Sequence, residues 1–399
     1  MHVLMLTHNM AGIGGNFQRA WSIGRALAAR GVEVTLLASR RVAGARRIES
    51  DQSGIRVIQM GDLFPRRLRH GGLSPMDVAG RLAFVRSRRY DLVHGMDHRP
   101  AVSIPALAAR RRWGIPYIAD WADLWGREGI AGERHGAGGR ILGLLDDRWE
   151  TRLHRAADAA TVISSYLERR VLALGVPADR VCRLAVGANA DLVLPRDKEE
   201  ALRKYGVPLG AKVLVHSGFA PYDRDLLFET MRHVAASETT ALLLLTGDDS
   251  NSIRMAIERA GLAGRVRLFG LVAYEDLGEI MACGDVMLLP LRNRPVNAAR
   301  FPNRFGDYLA AGRPIATNPT GDVGEIVERE QVGIVAPDEP RAFADAVLRL
   351  LDDPSASEAM GQRARGLAET RYSWKTLVEP LAGFYQGLVD TSQKNGWRK

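Results

Sequence analysis

The chain alternates short apolar strands with amphipathic helical segments, and it does so twice. Strand patterns at residues 2–7 and 32–37 enclose a helical pattern that begins near Asn16. After about residue 190 the alternation restarts, with a strand at residues 212–218. Strand, helix and strand in this order imply a parallel sheet with right-handed crossovers. We therefore predict an α/β protein with two Rossmann-like, doubly wound parallel-sheet domains.

The length of 399 residues also favours two domains, because one hydrophobic core rarely grows that large. No apolar run approaches the roughly 20 residues that cross a bilayer. The first residues, MHVLMLTH, read as a strand and lack the basic region and cleavage site of a signal peptide. The cysteines, Cys182 and Cys283, lie far apart without metal-ligand spacing. We expect a cytoplasmic protein in a reducing compartment.

Positive charge is concentrated in the first half of the chain. Residues 1–190 contain 29 basic and 17 acidic residues, whereas residues 191–399 contain 26 and 29. The excess is nearly all arginine and occurs in clusters, one of which, at residues 64–69, mixes apolar and basic residues. Such a face attracts an anionic membrane surface, which suggests peripheral attachment to the inner face of the membrane. A merely solvated, arginine-rich surface is the alternative, and no nucleic-acid module is present.

Residues 301–327, FPNRFGDYLAAGRPIATNPTGDVGEIV, combine unlike residue types in a short space. Arg304 and Asp307 precede an apolar helical turn that Gly312 closes, and a short strand and a glycine-bearing loop at residues 320–324 follow. A helix N-terminus and an arginine together favour phosphate, and a carboxylate one turn further on accepts hydrogen bonds from hydroxyls. The segment therefore suits a diphosphate joined to a ribose, or else it is an ordinary capped helix.

Polar residues in the first half also follow predicted strands, where ligands of open α/β sheets bind. Gly14 and Gly15 precede the first helix, for which Asn16 is a plausible N-cap, and they leave its N-terminus approachable. A tight strand-to-helix turn is the alternative. Asp120 and Asp123 follow the strand at residues 115–119, beside two tryptophans, and either acid can position or deprotonate a hydroxyl. A helix cap beside a buried tryptophan is the alternative there. Five glycines between residues 128 and 140 predict a mobile loop.

In the order of these segments the chain resembles the GT-B-fold retaining glycosyltransferases of family 4, also called glycosyltransferase group 1. The resemblance covers nearly the whole chain and is most specific in FPNRFGDYLAAGRPIATN, which follows GDVMLLPL. It implies two domains that face each other across a cleft. Residues 1–190 would bind the acceptor and residues 191–376 the nucleotide-sugar donor. A last helix, at residues 377–399, would pack back on the first domain.

The resemblance implies that Asp307 binds the ribose hydroxyls, because it matches the second acid of the family's Glu-x7-Glu signature. Asp is one methylene shorter than the usual Glu. The first acid would fall at Ala299 and is absent. A branch of the family with a Pro-x-Lys-x-x-Glu-Tyr pattern also lacks it, and there Arg304 stands in place of the Lys and Tyr308 in place of the Tyr.

The same family usually supplies an Arg and a Lys to the diphosphate from the first loop of the second domain. Here Phe219 and Ala220 follow Gly218, Arg224 is the candidate for the Lys, and the Arg of the pair is missing. The other donor contacts that the resemblance implies are largely made by the backbone. They fall at Phe301, Pro302, Asn303, Gly270, Leu271 and Val272.

For the first domain the resemblance implies that Gly14 and Gly15 lie below the transferred sugar. Asp120 or Asp123 would line the acceptor side, where relatives often have His, and the sequence leaves open which one. Arg224 and Arg304 would stabilise the departing diphosphate. The fold usually needs no metal, so no cofactor is expected. The partners implied are a nucleotide-sugar donor and a glycan, lipid-linked or small-molecule acceptor, as in bacterial surface polysaccharide or glycolipid synthesis.

Two other functions remain open on the same fold. A non-hydrolysing sugar-nucleotide epimerase would act on the donor without an acceptor. An inactive sugar-nucleotide-binding protein would explain the absent acid at Ala299 and the missing cation after Gly218.

Overall fold

The structure, a computed structural model, describes residues 1–133, 136–218, 223–247 and 249–394. It divides the chain into two compact units. Unit 1 contains Met1–Val186 together with the chain from Trp374 onwards, and unit 2 contains Gly187–Ser373. Each unit is built on its own sheet, and the two family-typical halves expected from the sequence are both present.

The sheet of unit 1 is parallel apart from one edge hairpin, β3–β4. Its eight strands lie in the order β3-β4-β2-β1-β5-β6-β7-β8. The strands are β1 (His2–Met10), β2 (Glu33–Ser39), β3 (Ile48–Gln52), β4 (Ile55–Gln59), β5 (Leu92–Gly95), β6 (Tyr117–Trp121), β7 (Ala159–Val162) and β8 (Val181–Arg183). β1 has β2 on one side and β5 on the other, so the chain crosses from one half of the sheet to the other beside β1, which places a topological switch point at the carboxyl ends of β1 and β5.

Helices cover both faces of this sheet because its strands are buried on both sides. The helices of unit 1 are α1 (Gly15–Ala28), α2 (Arg66–His70), α3 (Pro75–Ser87), α4 (Pro100–Trp113), α5 (Gly136–Ala156), α6 (Ser165–Ala173) and, after unit 2, the last helix of the chain (Trp374–Lys394). One core cluster contains Leu4, Val93 and Tyr117 from three neighbouring strands and Ala106 from α4. The last helix packs on α1, and Tyr385 on it donates a hydrogen bond to His94 Nδ1 at 2.6 Å.

The sheet of unit 2 has six parallel strands in the order β11-β10-β9-β12-β13-β14. These strands are β9 (Lys212–His216), β10 (Ala241–Thr246), β11 (Val266–Gly270), β12 (Val286–Leu289), β13 (Ile315–Thr317) and β14 (Gly333–Val335). The order reverses between β9 and β12, so the switch point of this sheet lies at their carboxyl ends.

Unit 2 has its own helices and its own core. Its helices are α7 (Lys198–Lys204), α8 (Arg224–Ser237), α9 (Asn251–Arg259), α10 (Tyr274–Ala282), α11 (Pro295–Ala299), α12 (Asn303–Ala311), α13 (Gly321–Arg329), α14 (Pro340–Asp352) and α15 (Pro354–Glu369), and the last helix of the chain is therefore α16. A cluster that includes Leu214, Leu243 and Leu288 from the sheet packs against Phe343 and Val347 of α14.

Three local expectations were wrong. The glycine-rich stretch at residues 128–140 contains a short 3-10 helix, Ile130–Glu133, and the first turn of α5. The expected glycine loop at residues 320–324 is instead the start of α13. Gly14, not Asn16, is the N-cap of α1. In each case glycine marks a backbone that turns into a helix, because φ is positive at Gly14, Gly136 and Gly321.

Candidate functional site

Arg304 lies in the first turn of α12 and is held by a histidine. Its Nη1 donates a hydrogen bond to His216 Nε2 at 2.7 Å, and His216 Nδ1 in turn donates to the Leu288 carbonyl at 3.0 Å. Burial, with the neighbouring Arg304 charge, lowers the pKa of His216 to about 3. The imidazole is therefore neutral and acts as a fixed acceptor. It aims the guanidinium at the carboxyl end of β9.

Gly218 follows β9 and lies against the same guanidinium. Its φ of +74° suits glycine, and a Cβ added there would lie 3.9 Å from Arg304 Cζ. Its N–H donates to Thr246 Oγ1 at 3.2 Å. The loop at residues 219–222, where the sequence lacks the expected Arg, lies outside the described residues.

Arg224 begins α8, and the structure brings it together with Arg304. Both line one pocket of unit 2 at the carboxyl ends of its central strands. Arg300 also lines this pocket, and the sequence analysis did not select it. Three arginines around one pocket provide the positive charge that a diphosphate requires.

Asp223, which was not predicted from the sequence, also lines this pocket and is buried. Its Oδ1 accepts hydrogen bonds from the Arg292 N–H at 3.2 Å and from Asn297 Nδ2 at 3.0 Å. Burial raises the pKa of its carboxyl. Its Oδ2 has no hydrogen-bond partner among the described residues. The sequence did contain a signal for this residue. Gly218 follows strand β9, and Asp223 is the acid that directly precedes the next helix, α8.

Asp307 lies on α12 one turn beyond Arg304 and is buried. Its Oδ1 accepts a 2.5 Å hydrogen bond from the hydroxyl of Tyr274, which itself accepts from Asn189 Nδ2 at 2.9 Å. Burial raises the pKa of Asp307 to about 6, although Tyr274 and Arg304 both oppose that rise. Tyr274 was not predicted from the sequence. It follows the 270–273 loop, so it ties Asp307 to that loop.

The loop after β11 contains the three residues that were expected to contact the nucleotide base. Gly270 has a φ of +64°, Leu271 is 65% exposed and Val272 is partly exposed. The exposed Leu271 side chain offers an apolar surface of the kind on which a planar base rests. Helix α12 links this loop to the arginine pocket. Asp307 contacts Tyr274 beside the loop, and Arg304, one helical turn earlier, lines the pocket.

Residues 301–303 have different roles from one another. The Phe301 side chain is buried in an aromatic cluster, 5.5 Å from the Phe305 ring and 6.5 Å from the Tyr372 ring. Only its backbone is therefore left for a ligand. Pro302 is the N-cap of α12 and Asn303 is its first residue. Ala299 is buried at the end of α11, so the position of the absent acid is part of the core.

In unit 1, Asp120 is placed in the core rather than at a surface that faces a ligand. Arg19 Nε and Nη2 donate to its two oxygens at 3.3 Å, and Thr161 Oγ1 donates to Oδ1 at 2.5 Å. Arg19 also donates to the Leu184 carbonyl at 2.7 Å. This buried ion pair fastens α1 to the sheet. It departs from the expected acceptor-positioning role, because the carboxylate already accepts from two partners of its own unit.

Asp123 is partly exposed in the loop after β6. Trp125 lies two residues further on, and the Arg99 guanidinium carbon stacks 4.0 Å from the centre of its ring. Of the two candidate acids, Asp123 is therefore the one at the surface of unit 1.

Gly14 and Gly15 lie at the N-terminus of α1, which the Asn9 side chain already occupies. Asn9 Oδ1 accepts from the Asn16 N–H at 2.9 Å and from the Phe17 N–H at 3.3 Å. A Cβ at Gly14 would lie 2.5 Å from that oxygen. Gly14 is therefore required for this cap, and the helix N-terminus is less approachable than expected.

A histidine cluster at the carboxyl ends of β1 and β5 was missed by the sequence analysis. His8 Nδ1 lies 2.6 Å from Asp97 Oδ2, and Asn9 Nδ2 donates to His8 Nε2 at 3.2 Å. Burial alone would raise the pKa of Asp97, but the His8 ring holds it below its usual value. His98 is also buried, which lowers its pKa. The signal was present, because His8 and DHR at residues 97–99 both follow strands at the switch point.

The basic segment at residues 64–69 is only partly a surface feature. Phe64 and Leu63 are exposed, but Arg69 is buried and donates to the carbonyls of Phe64, Arg40 and Arg41. Arg69 therefore closes a loop and contributes little to the outer charge of this cluster.

Two absences hold for residues 1–133, 136–218, 223–247 and 249–394, the part of the chain that the structure describes. Within those ranges, no three His, Cys, Asp or Glu side chains converge as they would around a metal ion. None of the helices there combines the length and apolar character needed to cross a bilayer.

Two family models match consecutive parts of the chain. The glycosyl transferase 4-like domain matches residues 14–187, and the glycosyl transferases group 1 model matches residues 211–353.

Named relatives agree with these models. A GDP-mannose-dependent alpha-(1-6)-phosphatidylinositol monomannoside mannosyltransferase of Mycobacterium tuberculosis is 27% identical over 244 residues, which span 59% of this chain and 63% of that protein. The match thus covers less than two thirds of that relative. A D-inositol 3-phosphate glycosyltransferase of Kineococcus radiotolerans is 26% identical and matches 91% of this chain and 88% of its own length.

Solved structures show the same fold at lower identity. Sucrose-phosphate synthase from Thermosynechococcus elongatus superposes with a TM-score of 0.76 at 18% identity, over 98% of this chain and 99% of that one. Anabaena HepE in complex with UDP and glucose superposes with a TM-score of 0.72 at 19% identity, over 97% of this chain and 100% of that one.

Proposed function

The chain belongs to the group 1 glycosyltransferases of GT-B fold, and we propose that it moves a sugar from a nucleoside-diphosphate sugar to an acceptor hydroxyl with retention of configuration. The observation that carries the donor class is the pocket of unit 2 that Arg224, Arg300 and Arg304 line at the start of α8 and α12. A pocket of this kind matches the two phosphates of the donor in charge.

The reaction breaks the bond between the anomeric carbon and the diphosphate and forms a bond from that carbon to the acceptor oxygen on the same face. In our proposal the departing phosphate takes the acceptor proton, so no carboxylate nucleophile is needed. Arg304 and Arg224 stabilise the leaving group. Each charge-assisted hydrogen bond contributes about 1.5–3 kcal/mol, and the α12 N-terminus adds up to about 2 kcal/mol. These cations make a metal ion unnecessary in the proposed mechanism.

The nucleoside is assigned to the turn of α12 that follows the one with Arg304. Asp307 accepts from the ribose hydroxyls, with Tyr274 holding its other contacts, and the base rests on the loop at Leu271. A carboxylate buried to this degree strengthens a hydrogen bond that it accepts, because the surroundings screen it weakly.

The acceptor is assigned to unit 1, beside Asp123 and Trp125, whose ring centre lies 6.1 Å from that of the buried His8 that pairs with Asp97. Aromatic and imidazole groups at the end of a parallel sheet suit a sugar ring and its hydroxyls. We propose a sugar or lipid-linked acceptor, in polysaccharide or glycolipid synthesis at the inner face of the membrane. The relative named for phosphatidylinositol monomannoside supports a lipid-linked acceptor, whereas the relative named for D-inositol 3-phosphate takes a small molecule.

A donor screen tests this proposal. Binding of UDP-, GDP- and dTDP-sugars is measured by calorimetry, and each binding donor is then incubated with and without a panel of acceptors. We expect release of the nucleoside diphosphate that depends on the acceptor, and NMR of the product should show the anomeric configuration of the donor. An altered sugar without acceptor would identify an epimerase, and binding without any turnover would identify an inactive binding protein.

A further inference from the structure

The outward face of α5 carries large apolar side chains that the fold leaves exposed. Ile141 is 59% exposed, Leu142 53% and Leu145 55%, and Trp149 is 41% exposed. Residues three and four apart lie on one side of a helix, so these side chains form one continuous stripe. Single exposed apolar residues are ordinary, but such a stripe on one helix of a folded unit marks an interaction surface.

The two faces of α5 carry different charges. Its exposed charged residues are all basic: Arg140, Arg148, Arg152 and Arg155. Its acids turn inwards. Glu150 is buried and accepts from Trp121 Nε1 at 2.7 Å, and Asp146 pairs with Arg99 at 2.9 Å. Asp147 is partly exposed and lies 3.7 Å from Arg170. From Ile141 to Ala156 the outer surface of α5 is therefore apolar and cationic.

This combination selects the kind of partner. Leucine, isoleucine and tryptophan beside arginines are the composition of helices that lie in the interface of a membrane, with the arginines at anionic head groups. A second copy of the chain would bring an equally basic face, and the like charges would oppose that association. An anionic lipid surface satisfies both the apolar stripe and the arginines.

The Trp149 ring is partly exposed on the outer face of α5, yet its indole nitrogen reaches the proposed acceptor region of unit 1, and Asp146 on the same helix also contacts that region. Trp149 Nε1 donates to the His98 carbonyl at 2.8 Å, and Asp146 holds the Arg99 guanidinium that stacks on Trp125. A ligand on the outer face of α5 therefore contacts a helix that is itself hydrogen-bonded to His98 of the histidine cluster.

We propose that the outer face of α5, defined by Ile141, Leu142, Leu145, Trp149, Arg148 and Arg152, docks on a membrane surface that contains anionic phospholipid. This inference rests on the proposed function in one respect: docking at α5 places a lipid-linked acceptor beside the histidine cluster of unit 1. The sequence suggested membrane attachment through the arginine clusters of residues 1–190 in general, whereas this proposal assigns the contact to α5.

Vesicle binding of the full-length protein tests the assignment. Vesicles of phosphatidylcholine alone and of phosphatidylcholine mixed with phosphatidylglycerol are sedimented with wild type and variants. We expect wild type to bind the mixed vesicles. The double variants Ile141→Asn with Leu145→Asn, and Arg148→Glu with Arg152→Glu, should each weaken binding by about tenfold or more. Brominated lipid should quench wild-type fluorescence more than that of Trp149→Phe.

Matched controls separate α5 from general effects. Leu209 and Met255 are exposed to a similar extent on unit 2, and Arg86 and Arg89 are exposed on unit 1 away from α5. Leu209→Asn with Met255→Asn, and Arg86→Glu with Arg89→Glu, should bind within about twofold of wild type. Melting curves establish that every variant is folded.

Three outcomes would overturn the proposal. Wild type could ignore anionic vesicles, or the α5 variants could bind as well as their controls. Alternatively, light scattering could show a wild-type dimer that the Ile141 and Leu145 changes dissociate while vesicle binding persists. The assay contains neither donor nor acceptor, so its result is independent of whether the donor screen finds transfer.

Discussion

At the scale of single residues, burial sets the protonation behaviour of the side chains in the candidate donor site. His216 is neutral because it is buried, and it therefore accepts from Arg304 instead of repelling it. Asp307 is held by Tyr274 and has a raised pKa. The sequence supplies the residue types, but burial decides what each group does.

Arg304→Ala should lower kcat/KM by about one to two orders of magnitude, since it removes a charge-assisted hydrogen bond to the leaving group. Arg224→Ala should act in the same direction. Arg232→Ala is the matched control, because Arg232 is exposed on the same helix as Arg224 and should change steady-state kinetics little. Wild-type kinetics in both pocket variants would refute the diphosphate assignment.

Donor affinity should fall as the pH falls through about 6. The pKa of Asp307 is raised to about 6 by burial, so protons occupy the carboxylate at a higher pH than in an ordinary aspartate. A protonated Asp307 accepts a ribose hydroxyl poorly, whereas above that pH it is ionised and accepts well. Calorimetric donor affinity from pH 5 to 8 measures this effect. The Asp307→Ala variant should bind donor weakly at every pH, without the change in affinity near pH 6. If that change persists in the variant, Asp307 is not the group that causes it.

At the scale of elements, the sequence predicted the βα alternation well because each period is local. It predicted less well where glycine was involved. Residues 128–140 and 320–324 read as loops, yet each contains a helix start, since tertiary packing outweighs the low helix propensity of glycine. The ion pair of Asp120 was not predicted for a related reason. Its position after a strand was correct, but its pairing with Arg19, 101 residues away, is a long-range contact that no local pattern encodes.

Gly14→Ala should destabilise unit 1 more than Gly12→Ala does. Both glycines have positive φ, so alanine strains the backbone at either position. At Gly12 a Cβ meets nothing within 4 Å, whereas at Gly14 it would displace the Asn9 oxygen that caps α1. The difference should be about 1 kcal/mol, the typical cost of losing a helix cap. Urea unfolding of both variants gives this difference, and equal losses would mean that the Asn9 cap contributes nothing.

At the scale of the whole molecule, unit 2 is continuous in sequence and unit 1 is not. The core cluster around Leu214 and Phe343 lies entirely within Gly187–Ser373. Unit 1, in contrast, needs α16, which buries Val378, Leu381 and Tyr385. Because the βα pattern occurs twice, the existence of two units was predictable from the sequence. That α16 packs on unit 1 was expected only from the family resemblance.

A fragment of residues 187–373 should therefore fold by itself and bind a nucleoside diphosphate. Its sheet, core and arginine pocket all lie inside that range. A fragment of residues 1–186 should be unstable, because it lacks the helix that covers His94 and α1. Circular dichroism melting of both fragments decides this. A cooperative transition in the first fragment alone is the expected result, and the reverse order would contradict the division.

The discontinuity of unit 1 has a consequence for biosynthesis. When the ribosome has made Val186, the eight-stranded sheet is complete but α16 has not been synthesised. At roughly 5–20 residues per second, translation of residues 187–373 takes about 10–40 s. During that interval His94 and the surface of α1 are not yet covered by α16. Unit 1 is therefore synthesised first but completes its fold last. We therefore expect chaperones to bind the nascent chain mainly at this stage, when the surface of unit 1 that α16 later covers is still exposed.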